Sequence, residues 1–293
     1  MTIRSLMART IVRTFAHLRL RGAPTVLVGL SKLPFLWEDH GVAALGGGKR
    51  IKFRSFDAYW AGYLWAGKPY EPDVEAILSK LSPIPDKLFV DCGANIAYWT
   101  VRVSDPSYGF SEFIAIEANP ALIPLIQENI RLNGINCELI NKAIGEHAGK
   151  TVCLGGTHHH ASAAVGESGI AVETVNLSTI LEAYRTEGRT IVVKLDVEGC
   201  EVAAIKGAAG VEGGDIIYIA EDWPKSGMLC TSFLLDHGYA VIAVSPEGAA
   251  NELHSVQDAI EFNAATTARY QPSNVIGCRK DHAEALLRFL NGH

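Results

Sequence analysis

Four short apolar runs in this chain each carry an acid at the carboxyl end: LFVD (Leu88–Asp91), FIAIE (Phe113–Glu117), IVVKLD (Ile191–Asp196) and DIIYIAED (Asp215–Asp222). Their length and their β-branched content mark them as strands buried on both faces. Helical segments separate them, and alternation of strand and helix implies a mostly parallel sheet with helices on both faces. The expected fold is α/β and Rossmann-like, with seven strands. The remaining three are Cys137–Ile144, YAVIAVS (Tyr239–Ser245) and NVIGCRK (Asn274–Lys280).

The connections have readable signals. Asn119-Pro120 starts a helix that stops near Asn133-Gly134, because proline suits the first helical position and glycine the position after the last. Ser178 is placed to cap a helix through about Tyr184, and further helices are expected from about Ile96, from about Glu198, over Leu229–His237 and at the C-terminal end. Between the third and fourth strands, TVCLGGTHHHASAAV and VETVNL read as short strands around a polar loop.

Residues 88–293 therefore form the expected cofactor-binding domain, and 1–87 an N-terminal, aromatic-rich helical extension, with Pro83 and Pro85 at the boundary. Tyr59, Trp60, Tyr63, Trp65 and Tyr70 fit internal packing or a substrate lid. Ile3, Met7, Ile11, Phe15 and Leu18 follow helical spacing, and the first acid, Glu38, comes after six basic residues. Such a basic amphipathic helix packs on its own domain or on a twin subunit, contacts a membrane surface, or serves as a targeting segment.

A formal net charge of -6 and a pI of about 5.9 argue against nucleic acid as a partner. No apolar run is long enough to span a bilayer. The six cysteines form no C-x-x-C pair, which points to a reducing, cytoplasmic setting rather than to disulfides or zinc.

In an open parallel sheet, ligands bind at the carboxyl ends of the strands. Asp91, Glu117, Asp196 and Glu221 lie there. Glu117 ends the second strand, where a carboxylate can accept hydrogen bonds from both hydroxyls of a ribose. The loop after the first strand, DCGANIAYWT, is not G-x-G-x-x-G. Asp91 beside its glycine repels a pyrophosphate and suits an amino group or a sulfonium, and Gly93 permits close approach of the backbone. Adenosine at one end and a cationic amino-acid portion at the other describe S-adenosylmethionine.

FVDCGANIAYWT, IAIEANP, NKAIGEHAG and VVKLDVEGCE resemble, in order and spacing, the successive motifs of the FkbM family of class I S-adenosylmethionine-dependent methyltransferases. The similarity runs from about Glu71 to Trp223, with Ala97 where the family commonly has glycine. The resemblance implies that Asp91, Gly93 and Asn95 line the methionine portion and that Glu117 binds the ribose. It sets Ala118 and Asn119 on one side of the adenine and Asn141 and Ala143 on the other. Glu71 helps close the cofactor site, and Asp196 and Glu198 stand where cofactor and acceptor meet.

Methyl transfer to an alcohol needs a base for its proton. Asp196, Glu198 and His159 are the candidates; Asp196 equally fits a role in orienting the cofactor ammonium, and Glu198 fits a helix cap. Three adjacent histidines, His158–His160, cannot all point one way on a strand, and no metal site is assigned to them or to Asp196, Glu198 and Glu221. Trp223 fits the wall of an acceptor pocket or the core.

The leading expectation is O-methylation of a hydroxyl on a small molecule, sugar or polyketide-like product. DVEG follows the fourth strand, where amine and base methyltransferases often carry an Asn/Asp-Pro-Pro-aromatic turn. A nicotinamide-dependent oxidoreductase shares the sheet and the ribose acid but lacks support from Asp91 and the loop. A non-catalytic binding module is opposed by the retained Glu117, Asp196 and Glu198.

Overall fold

The computed structural model describes all residues except 1, 19–22, 34, 35, 37, 156–164, 167, 168, 185, 212–214, 268–271 and 293. It separates into two compact units, residues 1–71 with 124–135, and 72–123 with 136–293.

The first unit contains helices Ile3–His17, Ala23–Ser31 and Ala58–Leu64, as expected. It also contains an antiparallel hairpin, β1 (His40–Gly46) with β2 (Lys49–Arg54). The hairpin corrects the all-helical reading of 1–87. Gly46, Gly47 and Gly48 all have positive φ (88°, 52° and 76°) and make the reversal, which side chains with a Cβ would resist. The open edge of β2 is closed by two side-chain amides, one helical turn apart. Asn129 Oδ1 accepts from Lys52 N (2.7 Å) and its Nδ2 donates to Lys52 O (2.9 Å). Asn133 does the same with Arg50 (2.9 and 2.7 Å). Both belong to the helix Ile123–Leu132 or its end, and they satisfy edge groups that would otherwise invite another strand. Trp60 and Trp65 are buried in this unit, which favours packing over a lid for those two.

The second unit is built on an eight-stranded sheet. In chain order its strands are β3 (Lys87–Cys92), β4 (Phe110–Ile116), β5 (Cys137–Ile140), β10 (Thr190–Leu195), β11 (Asp215–Asp222), β12 (Tyr239–Val244), β13 (Ala250–Leu253) and β14 (Ser273–Arg279). A smaller sheet takes β6 (Ala143–Ile144), β7 (Thr151–Leu154), β8 (Val165–Gly166) and β9 (Ile170–Val175). The main sheet runs β5-β4-β3-β10-β11-β14-β12-β13. β3, β4, β5, β10 and β11 pair in parallel, and β14 is antiparallel to both β11 and β12. Seven of these strands match the expected set; β13 and the helix Val256–Thr266, closed by a Ser255/Asp258 capping box, were not anticipated.

The chain leaves β3 towards β4 and β5, then returns to lay β10 on the other side of β3. That reversal opens a crevice at the carboxyl ends of β3 and β10, where such sheets bind ligands. All six residues of β3 are buried, and Leu88, Val90, Ile191, Val193, Tyr218 and Val241 contribute to a single hydrophobic core.

Three local expectations are corrected. The strand expected over Cys137–Ile144 is two strands in different sheets. Asn141 breaks it, because its Nδ2 donates to the carbonyls of Glu117 (2.8 Å) and Ala118 (3.2 Å) and draws the chain across the end of β4. The helix expected from Ser178 is capped two residues earlier by Asn176, whose Oδ1 accepts from Thr179 N, and spans only Leu177–Leu181. The helix expected from about Glu198 begins at Glu201. Glu198 itself sits at φ 53° in a turn, and the helix-cap reading of Glu198 passes to its neighbour. Glu201 Oε1 accepts from Val197 N (3.0 Å) and Gly199 N (3.1 Å) and so fastens the whole turn.

Candidate active site

The loop between β3 and the helix Tyr98–Val103 is tied down by its own amides. Gly93 N and Ala94 N both donate to Ile116 O, Ala97 N to Ala94 O, and Asn95 N to Glu117 Oε2 at 2.8 Å. These donors are therefore not turned outward as a phosphate cradle, the arrangement that a pyrophosphate requires. Gly93, at φ 82°, passes so close to β10's end that an added Cβ would lie 1.9 Å from Asp196 O. Asn95 and Ala97 are also left-handed, at φ 53° and 63°. Ala97 thus stands in a conformation that favours glycine, the residue common there in the resembling family.

Glu117 follows β4 and is 8% exposed. Its Oε2 accepts from Asn95 N and its Oε1 from Asn119 N, each at 2.8 Å. A carboxylate has about four acceptor positions, so each oxygen keeps one for another donor. Burial, together with the carboxylates of Asp91 and Asp196, pushes Glu117 up to about 7, against the two amides that favour its charged form. Ala118, Ala143, Val152, Leu154 and Val172 pack into a small apolar cluster beside it. Asn119 is partly exposed and accepts from Ala121 N, and Asn141 is exposed.

Asp91 also braces the structure that follows it. It is 2% exposed, and its Oδ2 accepts from both Thr100 N (3.0 Å) and Thr100 Oγ1 (2.6 Å). Asp222, at the end of β11, does the same nine residues ahead: Oδ2 accepts from Thr231 N and Thr231 Oγ1, both at 2.8 Å. In each case a strand-ending aspartate anchors the next helix by its first turn. Burial raises both carboxyls above the usual range.

The residue that sequence reasoning passed over is Lys194. It is 1% exposed and lies beside Asp91 in the β10–β3 register, and its Nζ donates to Asp196 Oδ2 at 3.2 Å. A buried ammonium is costly unless paired, and here it faces two carboxylates. The signal was present as a lysine inside the apolar run IVVKLD. Asp196 is partly exposed at the crevice and pairs on one side with Lys194. Glu198 is exposed on the same rim, and partial desolvation followed by the carboxylates of Asp196 and Glu201 pushes it up to about 7. Further along, Trp223 Nε1 donates to Glu221 Oε2 at 2.6 Å, and Lys225 Nζ sits 3.6 Å from the Trp223 ring centre. Trp223 is thus a partly exposed rim residue rather than core.

Gly93, Asn95, Glu117, Ala118, Asn119, Asn141, Ala143, Asp196 and Glu198 all lie on loops or strand ends of the second unit. Glu71 closes the first unit, at φ 40°. His159 lies outside the described residues. Among the described residues no three His, Cys, Asp or Glu side chains stand together as a metal site.

A doubly wound sheet with this strand order, with antiparallel β14 inserted beside β11, and with an acid directly after β4 defines a class I methyltransferase fold. Residues 91–221 match the family model described as the methyltransferase FkbM domain. Over that stretch the chain is similar to a family whose methyl donor is S-adenosylmethionine. No curated protein sequence matches the chain. Among solved structures, the methyltransferase FkbM of Methylobacillus flagellatus is 16% identical, with 76% of this chain covering 54% of that one and a TM-score of 0.41. This chain thus spans about half the length of that protein. A putative methyltransferase of Streptococcus mutans in complex with SAH is 14% identical, over 70% and 97% of the two chains, with a TM-score of 0.40. A precorrin-6y C5,15-methyltransferase from Geobacter metallireducens is 17% identical, over 70% and 86%, with a TM-score of 0.38.

Proposed function

We propose that this protein is an S-adenosylmethionine-dependent O-methyltransferase acting on a hydroxyl of a small molecule, sugar or natural product. The observation that carries the reading is Glu117. Its carboxylate is held rigidly by two backbone amides and retains one acceptor position on each oxygen, which suits the two hydroxyls of a ribose. The spent amides of the adjoining loop favour an adenosine-bearing ligand without a pyrophosphate.

When bound, S-adenosylmethionine supplies a methyl group already activated by its sulfonium. The protein then has to align the partners, exclude water and move one proton. Glu117 would accept from the ribose hydroxyls, with Ala118 and Asn119 on one side of the adenine and Asn141 and Ala143 on the other. Gly93 and Asn95 would border the methionine portion, over a loop that Asp91 braces through Thr100. Asp196, paired with Lys194, would receive the cofactor ammonium or orient the acceptor. Glu198 is the leading base: a carboxyl near 7 can take the proton of an alcohol as transfer proceeds. His159 is an alternative base.

Calorimetric titration with S-adenosylhomocysteine, with NADH as control, tests the cofactor. Micromolar binding of the first alone supports the reading, and binding of NADH alone defeats it. Incubation with a panel of alcohols, sugars and amines then tests the acceptor; methylation confined to amines would refute the oxygen assignment.

A further inference from the structure

The helix Ile3–His17 turns the wrong face inward for an ordinary amphipathic element. Its buried residues are Ser5, Ala8 and Val12, small side chains at helical spacing. The large apolar ones look out: Ile3 is 88% exposed, Leu6 51% and Met7 42%. Nine of the twelve large apolar side chains left exposed among the described residues belong to residues 1–71. Thr10, on the same outer face as Ile3 and Met7, turns its hydroxyl back to Leu6 O at 2.8 Å, so it presents its methyl group outward. Arg4 and Arg13 flank this strip on its two sides, by the helical repeat.

Charge points to what covers it. Before Glu38 the sequence has Arg4, Arg9, Arg13, Arg19, Arg21 and Lys32 and no acid, whereas the whole chain is formally -6. The rest of the chain therefore carries -12 (-6 minus +6). A second copy meeting the first through this face would bring like charges together. An anionic lipid surface complements both features, because phosphates attract the arginines while the apolar side chains enter the headgroup boundary. No described helix is long and apolar enough to cross a membrane, so the helix would lie on the surface.

We propose that the N-terminal helix seats this protein on an anionic bilayer surface through Ile3, Leu6 and Met7, with Arg13 at the lipid phosphates. The experiment is co-sedimentation of the full chain with phosphatidylcholine vesicles, and with vesicles in which phosphatidylglycerol replaces part of that lipid. Binding to the anionic vesicles alone is expected, with loss in high salt. Arg13→Gln should weaken partitioning about fivefold, the effect of one basic residue at such a surface. Met7→Glu should abolish it, while the circular dichroism spectrum and S-adenosylhomocysteine affinity stay as in the parent. Absence of vesicle binding, or equal binding to neutral vesicles, overturns the proposal. A concentration-dependent dimer in sedimentation velocity that Met7→Glu dissolves would assign the face to a second copy instead. The vesicle-binding and sedimentation outcomes do not depend on the methyltransferase reading.

Discussion

Gly93→Ala is the sharpest structural test of the crevice. An alanine Cβ there would lie 1.9 Å from Asp196 O and 2.9 Å from its carbonyl carbon, where ordinary contact starts at 3.4 Å. The backbone must open by about 1.5 Å (3.4 minus 1.9) at the end of β10. The left-handed φ of 82° adds about 1–2 kcal/mol for a residue with a Cβ. Overpacking adds about 1–3 kcal/mol. The sum, about 2–5 kcal/mol, lowers Tm by roughly 5–20 °C for a unit of this size. The same shift moves Asp196, and a displacement near 1 Å typically costs about 100-fold in rate. Gly199→Ala separates the two effects. Its φ is 97°, but nothing lies within 4 Å of an added Cβ, so it should lose only the conformational part, about 1–2 kcal/mol. Differential scanning calorimetry and S-adenosylhomocysteine titration read both variants. If Gly93→Ala matches Gly199→Ala in Tm and retains the parent affinity, the close approach of Gly93 to β10 does not constrain the site.

Glu117→Ala should weaken S-adenosylhomocysteine binding by about 1–3 kcal/mol, the scale of hydrogen bonds to a charged group; an unchanged Kd removes Glu117 from the ribose role. Because Glu117 is raised to about 7, it is protonated below that pH and loses acceptor capacity. Affinity should therefore fall as pH drops through about 7, and Glu117→Gln should flatten the dependence. The linked stability term has the opposite sense: the folded state holds this proton between the ordinary carboxyl value and about 7, so the ligand-free protein loses stability as pH rises through that window. Glu198→Gln should lower kcat by about 100-fold or more with little change in Kd. In the parent, kcat should rise with pH through about 7; a profile that the substitution leaves intact would exclude Glu198 as the base. Asn129→Ala should destabilise the first unit by about 1–3 kcal/mol, since it strips both partners from Lys52's backbone, and protease protection of the hairpin measures it.

The sheet was legible because burial on both faces leaves a strong record: β3, β4, β10, β11, β12 and β14 all appear as short β-branched runs within a few residues of their observed ends. The hairpin β1–β2 was not, since its aromatic neighbours imitate a helical segment and its partner, the pair Asn129 and Asn133, lies far along the chain. The acids at the strand ends were legible as a group but not in their tasks. Asp91 and Glu117 occupy equivalent places in sequence, yet one is turned inward to brace Thr100 and the other keeps acceptor positions open at the crevice.

The order of apolar runs, the glycine after Asp91 and the acid after β4 follow from local chemistry, and by themselves they determined the α/β class and the cofactor type. Whether a carboxylate braces a helix, pairs with buried Lys194 or stands near pH 7 depends on which distant groups surround it. Desolvation and coulombic coupling are properties of the assembled neighbourhood, and a carboxylate's partners can lie anywhere in the chain. For the same reason, only the tertiary structure decided that the helix Ile3–His17 buries Ser5, Ala8 and Val12 and leaves Ile3 and Met7 to the outside.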